Sequence, residues 1–78
     1  MTTHERISID PQVLSGKPVI RGTRLAVEFI VELLGNGWTD EQIIREYPGI
    51  IREDILACLL FASTTLKEER VYATGFPA

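Results

Sequence analysis

A single cysteine, Cys58, and a single histidine, His4, are the residues that most restrict how this chain can be stabilised. One cysteine cannot form an internal disulfide, and one histidine in a polar stretch cannot complete a Cys/His metal cluster. A chain of 78 residues buries a modest share of its surface. Domains of this size are often stabilised by a disulfide, a metal ion or a second subunit. We therefore expect one domain over residues 1–78 with no metal and no cofactor. We also expect a homodimer or higher oligomer, because 45% of the residues are apolar.

Residues 26–70 contain three helical patterns. Helix 1 is predicted at about residues 26–35, where apolar residues recur at the i, i+3, i+4 and i+7 positions, and Gly37 lies in the segment predicted to end it. Helix 2 is predicted to follow Thr39, which can form a capping box with Gln42, and to stop at Pro48-Gly49. Helix 3 is predicted at about residues 52–70, and residues 71–78 form a tail.

Residues 7–25 are predicted to form an extended, turn-rich segment. Ile7-Ser8-Ile9 alternates like a strand, Ser15-Gly16 indicates a turn, and a second strand begins at Pro18. If Val19 faces the core, alternation predicts that Ile20 faces away from it. Two strands this short cannot stand alone, so they must pack on the helices or pair with another subunit. The fold class expected is mainly α, a three-helix, helix-turn-helix-like bundle (homeodomain- or winged-helix-like) with a short N-terminal β-hairpin.

Helix 3 is apolar around most of its circumference. A helix of this kind must be covered on all sides, and a chain this short cannot cover it all. The excess predicts a surface that binds a partner, for which we select Leu59, Leu66, Val71, Tyr72 and Phe76.

The net charge of −3 is unevenly distributed along the chain. Residues 1–25 carry four basic and two acidic side chains, whereas residues 26–78 carry four basic and nine acidic ones. An acidic chain binds nucleic acid weakly unless it makes sequence-specific contacts. We therefore expect DNA binding to be weak unless a partner protein adds positive charge.

Four cations are the candidates for any contact with nucleic acid: Lys17, Arg21, Arg24 and Arg52. The first three lie in a segment without acidic residues, and spacing alone favours a different role, a hairpin whose arginines pair with the acidic helices. Arg52 opens the helix that would read DNA in a helix-turn-helix protein. Its acidic neighbours would repel phosphates, so helix 3 is equally well explained as a packing or dimer helix.

No residue pattern indicates catalysis. Cys58 lies in an apolar run and is expected to be a buried, inert core residue. The acidic pair Glu53-Asp54 is explained as compensation of the helix dipole. Lys17 lacks the glycine and hydroxyl spacing of a phosphate loop. With no targeting signal or membrane-length apolar run either, we expect a cytoplasmic protein that is not an enzyme.

Several residues resemble the bacterial family called domain of unknown function four-three-three, over about residues 7–66. The matching residues are Asp10-Pro11, the segment Gly16-Lys17-Pro18-Val19-Ile20-Arg21-Gly22-Thr23-Arg24, Gly37, Glu41, Ile43, Tyr47-Pro48, Asp54-Ile55 and Ala57. The resemblance implies a winged or homeodomain-like helix-turn-helix fold. It also implies a role as the antitoxin of a VapBC-type pair, with a PIN-like ribonuclease as the toxin. Where the family usually has a polar cap before helix 3, this chain has Ile51, which predicts a poorly capped helix.

Two functions remain open. The first is an antitoxin-like regulator that binds a ribonuclease and its own promoter DNA. The second is a dimeric protein-interaction module that does not bind DNA.

Overall fold

A computed structural model describes residues 5–68 and consists of a short hairpin followed by three helices. The predicted mainly helical fold with an N-terminal two-stranded hairpin is confirmed. The elements are β1 (Ile7–Ser8), a single 3₁₀ turn (Leu14–Gly16), β2 (Val19–Ile20), α1 (Val27–Gly35), α2 (Asp40–Glu46) and α3 (Arg52–Glu68). The last two residues of predicted helix 3 and the whole tail lie outside the described residues.

The hairpin pairs β1 and β2 in antiparallel register, with Ile7 opposite Ile20. The prediction that Ile20 faces away from the core is wrong, because both Val19 and Ile20 are buried. The chain returns along the other edge of β2, where the Val27 N–H donates to the Pro18 carbonyl at 2.9 Å. Ile20 packs in the core with residues of the helices, and Val19 is buried as well, so both faces of β2 are covered and simple alternation does not apply.

Helix α1 ends in a Schellman motif. The N–H of Trp38 donates to the Leu33 carbonyl, and the N–H of Gly37 donates to the Leu34 carbonyl, both at 3.0 Å. Gly37 has a φ of +95°, which glycine adopts without steric cost. The predicted end of helix 1 at Gly35-Asn36-Gly37 is therefore confirmed.

Helix α2 begins with the predicted capping box. The Thr39 side chain accepts from the Gln42 N–H at 3.1 Å, and Gln42 Oε1 accepts from the Thr39 N–H at 2.8 Å. Trp38, directly before the cap, packs against the core to which Ile43 belongs, which is the arrangement of a hydrophobic staple. These contacts fix where α2 starts relative to α1.

The core lies between the hairpin and the three helices, with the largest contact between α1 and α3. Its fully buried members come from every helix and both strands: Ile7, Ile20, Ile30, Ile43, Ile55, Val19 and Cys58. Within residues 5–68, no helix combines the length and the apolar character needed to cross a membrane.

Candidate functional site

An apolar groove runs between the first half of α1 and the second half of α3. It has a volume of about 430 Å³ and is lined by Pro18, Val27, Glu28, Val31, Glu32, Phe61, Ala62, Thr65 and Leu66. A groove of this shape can accept apolar side chains from another protein segment.

Helical spacing explains the groove. Val27 and Val31 are four residues apart on α1 and present one apolar face. On α3, Ala62 and Thr65 carry small side chains where a larger residue would fill the space between the helices. Sequence reasoning missed the groove because it arises from two helices that are separated by α2.

Two carboxylates stand on the α1 side of the groove. Glu28 pairs with Lys17, with 2.8 Å between Oε2 and Nζ, and both side chains are more than half exposed. Solvent therefore screens this pair strongly. Glu32 is exposed and makes no ion pair with any residue between 5 and 68. Because Lys17 balances Glu28, Glu32 is the residue that leaves the rim with a net negative charge beside an apolar floor.

The cations that sequence analysis selected for nucleic acid are mostly occupied within the fold. Arg21 donates to the backbone of the first strand segment, from Nε to the Glu5 carbonyl at 2.7 Å and from Nη2 to the Ile7 carbonyl at 3.2 Å. Arg52 Nε lies 3.2 Å from Asp40 Oδ2 and joins the starts of two helices. Arg21 and Arg52 therefore contribute to holding the fold together.

Lys17 and Arg24 complete this set of cations. Lys17 pairs with Glu28 of α1, whereas the hairpin alternative expected the arginines of this segment to pair with the acidic helices. Arg21 binds backbone carbonyls instead. Arg24 lies exposed between β2 and α1 and makes no hydrogen bond or ion pair with the described part of the chain. Nucleic-acid binding by these four residues stays a prediction.

Asp54 is the buried polar residue whose role sequence analysis misjudged. Its Oδ2 accepts from the Ile51 N–H at 2.9 Å, and its Oδ1 accepts from Arg6 Nη1 at 3.1 Å. Asp54 is therefore more than a compensating charge for the helix dipole. It occupies the third position of α3 and caps the N–H of Ile51, which is the reciprocal half of a capping box. Ile51 has no side-chain oxygen to offer the first N–H groups of α3, so Asp54 supplies only this half of the box and the predicted polar N-cap is still missing.

Arg6, Arg21, Glu5 and Asp54 surround a second, polar cleft of about 380 Å³. Arg6 was not selected from the sequence, because its partner lies 48 residues away. The one available sign was an acidic residue three positions after Ile51, the spacing of a capping box. Opposite charges alternate around this cleft, so it attracts neither anions nor cations strongly.

The outward side of α3 carries the apolar excess that the sequence predicts. Leu59 is 41% exposed and Leu66 is 64% exposed. Leu56 at 45% and Leu60 at 60% belong to the same exposed set and were not selected. The other predicted partner contacts, Val71, Tyr72 and Phe76, lie outside the described residues.

Cys58 is fully buried, as its place in an apolar run predicts. Burial, and to a lesser degree the nearby charge of Asp54, raises the pKa of the thiol from 9.0 to about 12. At neutral pH the group is a protonated, inert core side chain. Among residues 5–68, no three His, Cys, Asp or Glu side chains are grouped so as to hold a metal ion.

The order and packing of its elements place the chain in a class of small three-helix, helix-turn-helix-like proteins with a β-hairpin before the first helix. The family model described as "Protein of unknown function (DUF433)" matches residues 7–62, and the chain belongs to this family. The resemblance identified from the sequence is thus confirmed.

The structure is similar to the crystal structure of a DUF433 member protein from Anabaena variabilis ATCC 29413. The two share 30% sequence identity with a TM-score of 0.75, over 81% of this chain and 62% of the other. The chain thus spans less than two thirds of that relative. No curated protein matches this sequence.

Proposed function

We propose that this protein is an acidic protein-binding module that acts as the antitoxin-like member of a toxin–antitoxin pair. Its partner is a basic protein that inserts an apolar segment, flanked by lysine or arginine, between α1 and α3. The observation that carries the proposal is the groove itself, an apolar floor bordered by Glu28 and Glu32. Exposed apolar surfaces rimmed by polar residues mark interaction sites on small soluble domains.

Charge complementarity supports a basic partner. Residues 26–78 carry nine acidic side chains against four basic ones, and the groove lies almost entirely within this part of the chain. Opposite charge on a partner speeds encounter and favours the correct docking orientation. A ribonuclease must itself attract RNA phosphates and so presents positive charge. A PIN-like ribonuclease, the partner implied by the family resemblance, therefore has suitable chemistry.

Autonomous DNA recognition has less support. Arg52, at the start of the potential recognition helix, is joined to Asp40 and followed by Glu53. Carboxylates at this position oppose phosphate binding. We therefore assign the function to protein binding, with promoter contact arising only in the complex. The role is one of binding and not of catalysis.

The test is calorimetric titration of the full chain with a purified PIN-like ribonuclease encoded in the adjacent reading frame, alongside an assay of ribonuclease inhibition. Thr65→Arg should obstruct the groove and weaken binding at least about tenfold, and Glu32→Lys should weaken it several-fold by reversing the rim charge. Thr64→Arg and Glu46→Lys are matched controls, because they make the same changes at exposed positions outside the groove.

Two results would contradict the proposal in different ways. If the wild-type chain neither binds nor inhibits the ribonuclease, the antitoxin assignment is rejected. If it binds equally well with Thr65→Arg and with Thr64→Arg, the groove is not the binding site.

A further inference from the structure

The outer face of α3 carries a heptad pattern that no other part of residues 5–68 covers. We call this set of exposed residues the outer seam: Leu56, Leu59, Leu60, Ser63 and Leu66. Leu56 and Ser63 occupy equivalent a positions, Leu59 and Leu66 occupy d positions, and Leu60 occupies an e position. The buried residues of α3, including Ile55 and Cys58, lie on other sides of the helix. A second helix could pack along the seam without disturbing the core.

We propose that the outer seam pairs with the outer seam of a second copy of this chain in an antiparallel, two-fold symmetric dimer. The two α3 helices are aligned so that Leu56 of each copy faces Leu66 of the other, and Leu59 of each copy faces Ser63 of the other. The small side chain of Ser63 then provides space for the opposing leucine. Each of these two facing pairs occurs twice because of the two-fold symmetry, so four layers of facing side chains follow one another along the interface. Helix α3 is about 25 Å long by helical rise.

The charges beside the seam select the second copy as the occupant and set its direction. Glu53 and Lys67 are exposed e positions two heptads apart, on either side of Leu60. Neither makes an ion pair with any residue in the described part of the chain. In the antiparallel register, the two e positions face each other, so Glu53 of each copy meets Lys67 of the other.

A parallel arrangement lacks this complementarity. The e positions of a parallel pair face g positions, which on α3 are Ile55 and Ala62. Lys67 would then face Ala62, and both possible ion pairs would be lost. The positions of Glu53 and Lys67 therefore favour the antiparallel dimer over the parallel one.

The dimer does not depend on the proposed antitoxin function. The seam and the α1–α3 groove share Leu66 at their border, but Glu28, Glu32 and Thr65 belong to the groove alone. Substitutions at Glu53, Leu59 or Lys67 thus test the dimer, whereas those at Glu32 or Thr65 test partner binding.

The first experiment is sedimentation equilibrium of the full chain from low to high micromolar concentration. We expect a reversible monomer–dimer equilibrium, and Leu59→Glu should weaken association by about a hundredfold or more, because it buries two carboxylates at the interface. Ile9→Glu is the matched control: Ile9 is 42% exposed, close to the 41% of Leu59, and lies far along the chain from α3.

The charge pairs allow a test of direction. Glu53→Lys and Lys67→Glu should each weaken the dimer about tenfold, since each places like charges together twice. The double variant Glu53→Lys/Lys67→Glu restores opposite charges and should dimerise like the wild type. Glu41→Lys makes the same charge change on α2 and should have no effect.

Three results would overturn the proposal. One is a monomeric wild-type chain at high micromolar concentration. Another is a dimer indifferent to Leu59→Glu. The third is a double charge variant that is weaker than both single variants. If the wild type is a monomer and Leu59→Glu lowers its melting temperature, the seam is covered by the chain's own residues.

Discussion

At the scale of single residues, Asp54 links the start of α3 to the segment before β1. One carboxylate oxygen satisfies the backbone of Ile51 and the other contacts Arg6. The Asp54 side chain is largely buried, so removing it takes away both contacts at a site that solvent screens only weakly. Its contribution to stability should therefore exceed that of the exposed ion pairs in this chain.

Substitutions at Asp54 separate its two contacts. Asp54→Ala removes both and should lower the free energy of unfolding by about 2–3 kcal/mol. Asp54→Asn keeps an oxygen for the Ile51 N–H but loses the ion pair, so the loss should be about 1 kcal/mol. Urea unfolding of the three proteins measures both values. Equal losses in the two variants would show that the cap at Ile51 contributes nothing.

Cys58 makes stability depend on pH in the alkaline range. Its pKa is raised from 9.0 to about 12 in the folded chain, so the folded state disfavours the thiolate. The stabilisation is fully present below pH 9 and is lost as the pH rises towards 12. The expected slope from this group is about −1.4 kcal/mol per pH unit.

The measurement for Cys58 is urea unfolding at several pH values between 8 and 11, for the wild type and for Cys58→Ala. The difference in stability between the two proteins isolates the contribution of the thiol. The wild type should lose stability more steeply above pH 9. Parallel curves for the two proteins would contradict the buried, protonated thiol.

At the scale of elements, α2 depends strongly on its first turn, because a helix of seven residues is too short to be stable alone. The Thr39 side chain satisfies one of its free N–H groups. Thr39→Ala should therefore lower the free energy of unfolding by about 1 kcal/mol. Thr64→Ala makes the same change on the exposed face of α3, where alanine is the better helix former, and should be neutral or slightly stabilising.

Thermal unfolding followed by circular dichroism distinguishes these two variants. If both threonine substitutions change the melting temperature equally, the capping box has no special role in holding α2.

The elements that sequence analysis located well are those with local signals. Thr39 and Gln42 are three residues apart, and Gly37 directly follows the last turn of α1, so both helix ends were predictable. Ile20 was misplaced because its burial depends on helices that are distant in the sequence. The Arg6–Asp54 contact was missed for a related reason, since no short-range pattern joins residues 48 positions apart.

Of the two candidate surfaces, the exposed face of α3 arises from a local pattern and the α1–α3 groove from contacts between distant parts of the chain. The apolar excess of α3 follows from its own composition, and so exposure at Leu59 and Leu66 was predictable. The groove depends on how α1 lies against α3, which no pattern within either helix specifies. The carboxylate rim was not predicted as part of a site, although Glu28 and Glu32 are four residues apart and therefore share one face of helix 1.

At the scale of the whole molecule, the distribution of charge limits what the chain binds alone. Lys17, Arg21 and Arg52 are engaged by carboxylates or backbone carbonyls, and the overall charge is −3. Binding to DNA must break or share these contacts while the acidic helices repel phosphates. We expect the isolated protein to bind duplex DNA weakly and only at low salt.

A salt titration of fluorescence anisotropy with promoter DNA checks this expectation. Arg24→Ala should flatten the dependence of affinity on salt by about one unit in the logarithmic slope, because it removes one phosphate contact. Arg52→Ala should have little effect on the isolated protein. If Arg52→Ala abolishes binding while Arg24→Ala leaves it unchanged, α3 is the reading helix.

The contact between Arg6 and Asp54 also has a consequence for synthesis of the chain on the ribosome. Ile7, next to Arg6, is completely buried in the same core as Ile55 and Cys58. The hairpin is translated before α3, so its apolar residues cannot complete their core until the first turns of α3 have left the exit tunnel. Contacts that span so much of the sequence delay folding until most of the chain is available. We therefore expect the nascent hairpin to stay unfolded until the first turns of α3 can pack against it.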